Sequence, residues 1–493
     1  MPSNNPYQMK KTFLLLLFVC SLGFLLQHLY FITQGFYFTG DTISYLQDAM
    51  RGKALTVFIQ ANPTWPPATA LLFNLFQIVS KSVIIQQQVF VIVMLFANGI
   101  TFYLLVRKFT ESKMMSFTLT IIMLLSSIHS LLFLAAMSES FFILLITASI
   151  MLLVSYHENN SEASLLLFGI TASLLPMSRY IGIYVLFMYS LYLVVEMIKK
   201  RGTTYSYYIL CLLLLMWMPF GLYLFRNKIE LGVFMESRKM QLPDIHFFEL
   251  FVKQNIQIIS DMGKSIGVVF LLGYCIPWKR KMKPLLFFSF FVLISYEIGM
   301  GISRNLFYSN QASLQDNFPS RYMGVIYPLI LLIVIVSSSW IMRKLKRIQA
   351  FDLAIKAIAI VFLLSIIFSQ QQFMKRELYV QLSEVEGADY SLTIKRFCET
   401  KNVSARYLLV QETSSNHVAR GLKLYCQDIQ PLLFVSNISL TKGDIIFTPY
   451  KLPNTFFTAV ERYSGTKFVY KYEVINDTIF NAEALRRKLH LLD

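Results

Sequence analysis

The chain has 493 residues, of which 55% are apolar and 15% charged, and its formal net charge is +17. Apolar runs of about 18 residues or more recur along it, each long enough to cross a bilayer as a helix; this excludes an ordinary soluble domain and defines a polytopic membrane protein. The basic residues gather at the ends of those runs, so the positive charge reports membrane orientation and not a nucleic-acid partner.

The first run, Phe13 to about Thr33, is too long for a signal-peptide core and is not followed by a small-residue cleavage site, so it reads as a retained first span. Further spans are expected at about 85–106, 114–130, 139–156, 163–176, 180–198, 205–225, 264–278, 284–301, 322–341 and 351–370, eleven in all with the first. Counting every span puts Lys10-Lys11, Arg107-Lys108, Lys199-Lys200-Arg201, Lys279 to Lys283 and Arg343 to Arg347 on one side, which is the cytoplasm. The run at 163–176 is short, yet dropping it would move Lys199-Lys200-Arg201 outside, so 163–198 is read as a helical hairpin. The expected location is a bacterial cytoplasmic membrane, with the N-terminus inside and the C-terminus outside.

Residues 1–372 are thus expected to form a transmembrane domain whose first external loop runs over 35–84, and 373–493 a small extracytoplasmic α/β domain. The latter has strand-like stretches at Arg406–Gln411, Asp444–Thr448 and Lys467–Val474 and a helix-like end from Ala482 to Leu491. Cys398 and Cys426 fall there and could pair or stay as thiols; Cys20, Cys211 and Cys275 lie in apolar runs as small hydrophobes. Three glycosylation sequons, at Asn402, Asn437 and Asn476, matter only in a host that glycosylates. No P-loop or Rossmann fingerprint is present, so ATP-driven chemistry is unsupported.

The external segments hold the candidates. Asp41 opens the first loop, followed by a short segment, 43–50, that reads as an interfacial helix with Ile43, Leu46 and Ala49 on one face. Asp41 also suits an N-cap for that helix. Glu139 lies in Ser138-Glu139-Ser140 at the mouth of the fourth span, where a carboxylate needs a partner or a polar cavity, although Ser138 as cap with Glu139 in the first turn is a simpler reading. Arg179 sits at the hairpin tip, and Arg321 precedes the tenth span; either could snorkel to the headgroups. Taken together, two acids and two arginines at one membrane face suit a reaction on a lipid-linked phosphate. Arginine matches phosphate with its planar fork of donors, and a carboxylate can take the proton of an attacking hydroxyl or amine.

At these residues the chain resembles the GT-C superfamily of integral-membrane glycosyltransferases, in particular the protein mannosyltransferase and lipid A aminoarabinose transferase type. The resemblance rests on Gly40-Asp41, Tyr45, Ala49 and Gly52, then Trp65-Pro66-Pro67, Ser138-Glu139-Ser140-Phe141, Ser178-Arg179-Tyr180, and Arg321-Tyr322 with Pro328. It implies a GT-C-like fold and an inverting transfer from a polyprenyl-phosphate sugar to a glycan, lipid or protein acceptor. It implies Asp41 as general base, Glu139 as a second acid of the site, and Arg179 and Arg321 as ligands of the donor phosphate, with Tyr45, Tyr180 and Tyr322 in support. The family often carries an Asp-Glu pair where this chain has Ser138-Glu139. A divalent metal is compatible with the resemblance, but no ligand motif supports one, and no other cofactor is indicated.

The segment 227–263, with Glu236, Arg238, Lys239, Asp244, His246 and Lys253 among aromatics, reads as an amphipathic interfacial segment that could also cover the donor pocket as a lid. Two other functions stay open. A transporter or flippase would show ionisable residues in mid-span and related halves, whereas the chain offers only Glu196 and Glu297 near span ends. A polysaccharide ligase or polymerase would share the lipid-phosphate donor.

Overall fold

A computed structural model gives the fold and describes residues 40–60, 66–108, 110, 112–124, 126–134, 136–200, 202–232, 234, 266–267, 269–270, 283–307, 324–345, 358, 407–411, 429–433, 437–448, 457–463, 469–476 and 478–481. Three short helices come first: Gly40–Ala49 (α1), Ala54–Gln60 (α2) and Ala68–Phe76 (α3). Apolar helices follow at Val83–Arg107 (α4), Lys113–Leu124 (α5), Ser127–Leu134 (α6), Ser138–Asn159 (α7), Glu162–Ser178 (α8), Gly182–Lys200 (α9), Thr203–Leu231 (α10), Lys283–Phe307 (α11) and Tyr327–Leu345 (α12), all but α6 longer than the first three.

Four described helices are long and apolar enough to cross a membrane: Ile85–Arg107, Ser138–Asn159, Gly182–Lys200 and Thr203–Glu230. They coincide with expected spans, and the hairpin of α8 and α9 forms as the charge argument required. The expected span at 13–33 lies outside the described residues, as does nearly all of those at 264–278 and 351–370. One expectation is corrected. The run at 114–130 is not one helix but α5 and α6, and the break falls at a serine. Ser126 Oγ donates to the Met123 carbonyl and accepts from the His129 amide, both at 3.3 Å, so a side chain replaces backbone partners where one helix stops and the next begins.

The bundle is organised around α7, whose apolar window is 67% buried, against 44% for α4 and less for α9 and α10. It packs on α4, α6, α8 and α11. Its hydroxyls are satisfied within the helix, as Thr147 Oγ1 to the Ile143 carbonyl (2.8 Å) shows, so they do not penalise burial. Asn98 of α4 donates to the Ser140 carbonyl at 3.0 Å and to its own helix at Met94, pinning the start of α7. Helices α8 and α10 approach closely at Gly169, where an added Cβ would stand 2.3 Å from Leu212 Cδ1.

The first-loop helices belong to this core. Ile43, Leu46 and Ala49 are fully buried, but so are Thr42 and Tyr45 on other faces, so α1 is packed inside protein and is not the one-sided interfacial helix expected from its sequence. Its C-terminal carbonyls are capped from α3 and just beyond: Asn74 Nδ2 donates to Ala49 O (2.7 Å) and Gly52 O (2.6 Å), and Gln77 Nε2 to Ala49 O (2.8 Å). Phe73 of α3 stacks on Phe90 of α4 with ring centroids 4.4 Å apart, which anchors the loop to the bundle.

In the C-terminal region the described residues include seven strands: Tyr407–Gln411 (β1), Ile429–Leu433 (β2), Asn437–Leu440 (β3), Ile445–Thr448 (β4), Phe457–Tyr463 (β5), Val469–Val474 (β6) and Thr478–Asn481 (β7). Five form a mixed sheet in the order β2-β1-β4-β6-β5, and β3 pairs with β7. β1 is parallel to both its neighbours, whereas β4, β5 and β6 pair antiparallel. The three expected strands coincide with β1, β4 and β6. The helix expected at 482–491, Cys398 and Cys426 lie outside the described residues.

Candidate active site

The helix bundle has two polar ends. One carries Arg107, Lys108, Lys199 and Lys200; at the other, the start of α7, the α8–α9 tip and α1 meet. This second end holds the sequence candidates.

Glu139 sits in the first turn of α7, where the positive helix end favours a carboxylate. Its helix begins after Met137 in the capping position, not with Ser138 as cap. The side chain is fully buried and forms an ion pair with Arg179, Nη1 to Oε1 2.7 Å. Ser138 joins both partners: its Oγ donates to Glu139 Oε2 (3.2 Å) and accepts from Arg179 Nη1 (2.9 Å). Arg179 is therefore not snorkelling. It closes α8 in an extended conformation, after Pro176 in the last turn, and only 14% of its side chain is exposed.

The α8–α9 turn holds this arginine by close backbone packing. The Gly182 amide donates to the Arg179 carbonyl at 2.8 Å, and a Cβ at Gly182 would stand 2.4 Å from the Leu175 carbonyl carbon and oxygen. Only a residue without a side chain fits that approach.

Helix α1 brings the remaining groups. It starts at Gly40, so Asp41 lies inside the first turn and is not the N-cap; it is half-buried. Tyr45, one turn on along the same face, is buried and its hydroxyl hydrogen-bonds with Ser138. Burial raises the Tyr45 pKa well above the usual tyrosine range, Arg179 opposes that, and the carboxylates Asp41 and Glu139 add to it. One phenol thus lies within electrostatic reach of Asp41, Glu139 and Arg179. These charged groups are up to 138 positions apart in sequence (Asp41 to Arg179). Arg321 and Tyr322 lie outside the described residues, as do 235–263 of the segment expected at 227–263, whose start to Leu231 continues α10 instead.

Beside this group is a second polar cluster, of which the sequence reading assigned only Tyr180. Tyr180 and Tyr223 share a hydroxyl hydrogen bond of 3.2 Å. Arg226, near the end of α10, donates through Nε (2.6 Å) and Nη2 to the Ile59 carbonyl of α2 and packs 5.8 Å from the Tyr223 ring. Asp48 of α1 pairs with Arg51 at 3.0 Å and lies within electrostatic reach of Tyr223 and Arg226. The one available signal was an arginine followed by asparagine near the end of a long apolar run. Among the described residues, no three His, Cys, Asp or Glu side chains are grouped to hold a metal ion, and Glu139 is engaged by Arg179.

The fold and these residues define an integral-membrane protein with an acid–arginine–tyrosine site where its first loop meets the bundle. Residues 69–235 match the family of dolichyl-phosphate-mannose-protein mannosyltransferases, a stretch that includes Glu139 and Arg179 but neither Asp41 nor Arg321. The fold is similar to that of ArnT from Cupriavidus metallidurans. Against the apo crystal structure the TM-score is 0.53 at 10% identity, covering 92% of this chain and 97% of that one. Against ArnT bound to undecaprenyl phosphate it is 0.51 at 10% identity, covering 95% and 98%. Comparison with curated proteins by sequence gave no significant match. The family match covers part of the helix bundle, and the likeness to ArnT is one of fold.

Proposed function

We propose that the chain is an inverting glycosyltransferase that moves a sugar from a polyprenyl-phosphate donor to an acceptor on the extracytoplasmic face. The observation that carries this reading is the buried Glu139–Arg179 ion pair, bridged by Ser138, which also bonds the Tyr45 hydroxyl of the helix that carries Asp41. The matched mannosyltransferase family and the undecaprenyl-phosphate complex of ArnT support a lipid-phosphate donor.

In the proposed step, the acceptor's hydroxyl or amine attacks the anomeric carbon. The bond from that carbon to the phosphate oxygen breaks, and its electron pair leaves on the polyprenyl phosphate. The acceptor's proton passes to the Asp41 carboxylate, the half-buried acid of the pair. Glu139 is too deeply enclosed by Arg179 and Ser138 for that duty. It serves as a positioning residue, fixing a guanidinium that stabilises the phosphate leaving group together with Arg321. The Tyr45 hydroxyl keeps its proton and holds Ser138 in register.

The test uses membranes containing the full chain, a panel of radiolabelled polyprenyl-phosphate sugars, and product mass analysis. Wild-type protein transfers one sugar of the panel, and Asp41→Asn loses transfer while melting at the same temperature. Undiminished transfer by Asp41→Asn removes Asp41 from the role of base. Uptake of a solute into proteoliposomes without sugar transfer favours the transporter reading, and transfer of whole glycans favours a ligase.

A further inference from the structure

At the opposite, basic end of the bundle a cavity of about 450 Å³ opens between α7, α9 and α11. We propose that it binds an aminophospholipid of the cytoplasmic leaflet, with the ammonium on Glu196 and the phosphate at Lys199.

The slot is lined mainly by apolar side chains and runs along α9. Met188, Leu191, Val195 and Lys199 of α9 line it. The 11 positions from Met188 to Lys199 span about 16 Å at 1.5 Å per residue. Phe287 and Phe291 form the facing wall on α11, their rings stacked 5.5 Å apart. The mouth is lateral: Leu191 is 43% exposed, Val195 47% and Phe287 53%. In a spanning bundle that exposure faces acyl chains.

The polar groups sit only at the basic end, which the positive-inside rule assigns to the cytoplasm. Glu196 and Lys199 are one turn apart and only loosely paired, at 3.9 Å. The Glu196 side chain is 13% exposed and that of Lys199 67%. A carboxylate within the pocket and a cation at its rim complement a headgroup carrying both an ammonium and a phosphate. A purely anionic headgroup would face Glu196 unfavourably. The other polar groups nearby are engaged with one another. His157 Nε2 hydrogen-bonds the Tyr192 hydroxyl, Lys200 donates to Tyr156 Oη at 2.7 Å, and Lys108 pairs with Glu158 at 2.7 Å. Of these, His157 and Tyr192 line the cavity, with the His157 ring 5.3 Å from that of Phe288. Basic pockets between spanning helices on the cytoplasmic side are a recurring setting for lipid headgroups.

The test uses full-length protein in mixed micelles with added dioleoyl phosphatidylethanolamine, phosphatidylcholine or phosphatidylglycerol, or with water-soluble phosphoethanolamine, and reads melting temperature and lipid retained in native mass spectra. Phosphatidylethanolamine is expected to raise the melting temperature most, and phosphoethanolamine, lacking tails, not to raise it. Glu196→Gln is expected to abolish the preference over phosphatidylcholine, whose quaternary ammonium cannot donate to a carboxylate. Met188→Trp, which leaves both charges in place and fills the slot, is expected to abolish retention of every lipid. The proposal is overturned if phosphatidylcholine or phosphatidylglycerol matches phosphatidylethanolamine, if phosphoethanolamine alone suffices, or if Glu196→Gln or Met188→Trp leaves the preference intact. None of these readouts depends on sugar transfer.

Discussion

Arg179→Ala should destabilise the protein in a way that depends on pH. The variant leaves Glu139, whose side chain is fully buried, without the guanidinium at 2.7 Å. Breaking a buried ion pair from one side costs about 3–5 kcal/mol. The stranded carboxylate has an escape, since it can take up a proton. For a glutamate of ordinary pKa, about 4.3, this costs about 3.7 kcal/mol at pH 7 and about 1 kcal/mol at pH 5, at about 1.36 kcal/mol per unit. The folded variant then holds a proton that the unfolded chain does not hold at pH 7, so its stability falls as pH rises through this window. The gap between Arg179→Ala and wild type should therefore be about 3 to 4 kcal/mol at pH 7 and shrink by about 2.7 kcal/mol at pH 5. Glu139→Gln should lose less, because the arginine it strands reaches solvent, and its gap should be flat with pH. The double variant should be more stable at pH 7 than Arg179→Ala alone. Unfolding in mixed detergent micelles at the two pH values measures all four proteins. A gap for Arg179→Ala that is constant, or wider at pH 5, would refute the reasoning.

Tyr45→Phe keeps the buried ring but removes the hydroxyl bonded to Ser138. Loss of that bond should cost about 1 kcal/mol of stability and reduce kcat/KM about tenfold; transfer at the wild-type rate would show that the hydroxyl orients nothing. Gly182→Ala forces a Cβ to within 2.4 Å of the Leu175 backbone and should destabilise by about 1–3 kcal/mol. Gly221→Ala, where nothing lies within 4 Å, should instead stabilise α10 by about 0.5–1 kcal/mol, and equal melting temperatures for the two variants would contradict both arguments. Arg226→Met removes the donors to the Ile59 carbonyl. It should speed hydrogen exchange over α2 with little effect on α4, and unchanged exchange at 54–60 would dismiss the clamp.

Much of the membrane architecture was legible in the chain because its physics is local. A span needs a long apolar run, and the order of basic clusters sorts the ends of the runs into two groups. That reasoning kept the short run at 163–176 as a helix, and α8 and α9 form with Arg179 at their tip. It erred where side chains intervene. Ser126 takes over backbone hydrogen bonds and divides the run at 114–130, which hydropathy averages across.

Asp41, Glu139 and Arg179 could be picked out singly, as polar residues at the mouths of apolar runs. Their mutual arrangement could not, because it depends on how helices cross. The burial of α1 on nearly every side, which carries Tyr45 to Ser138, follows from the packing of α3 on α4 and has no signature in the periodicity of residues 40–49. Arg226 was passed over for the same reason, since its acceptor is a backbone carbonyl 167 residues away. The sequence by itself determined that the chain is a multi-span membrane protein and which loops face together, because hydropathy and charge are properties of neighbouring residues. Only the tertiary structure decided that Glu139 holds Arg179 while Asp41 stays half-buried, because depth and pairing arise when helices distant in the chain pack side by side.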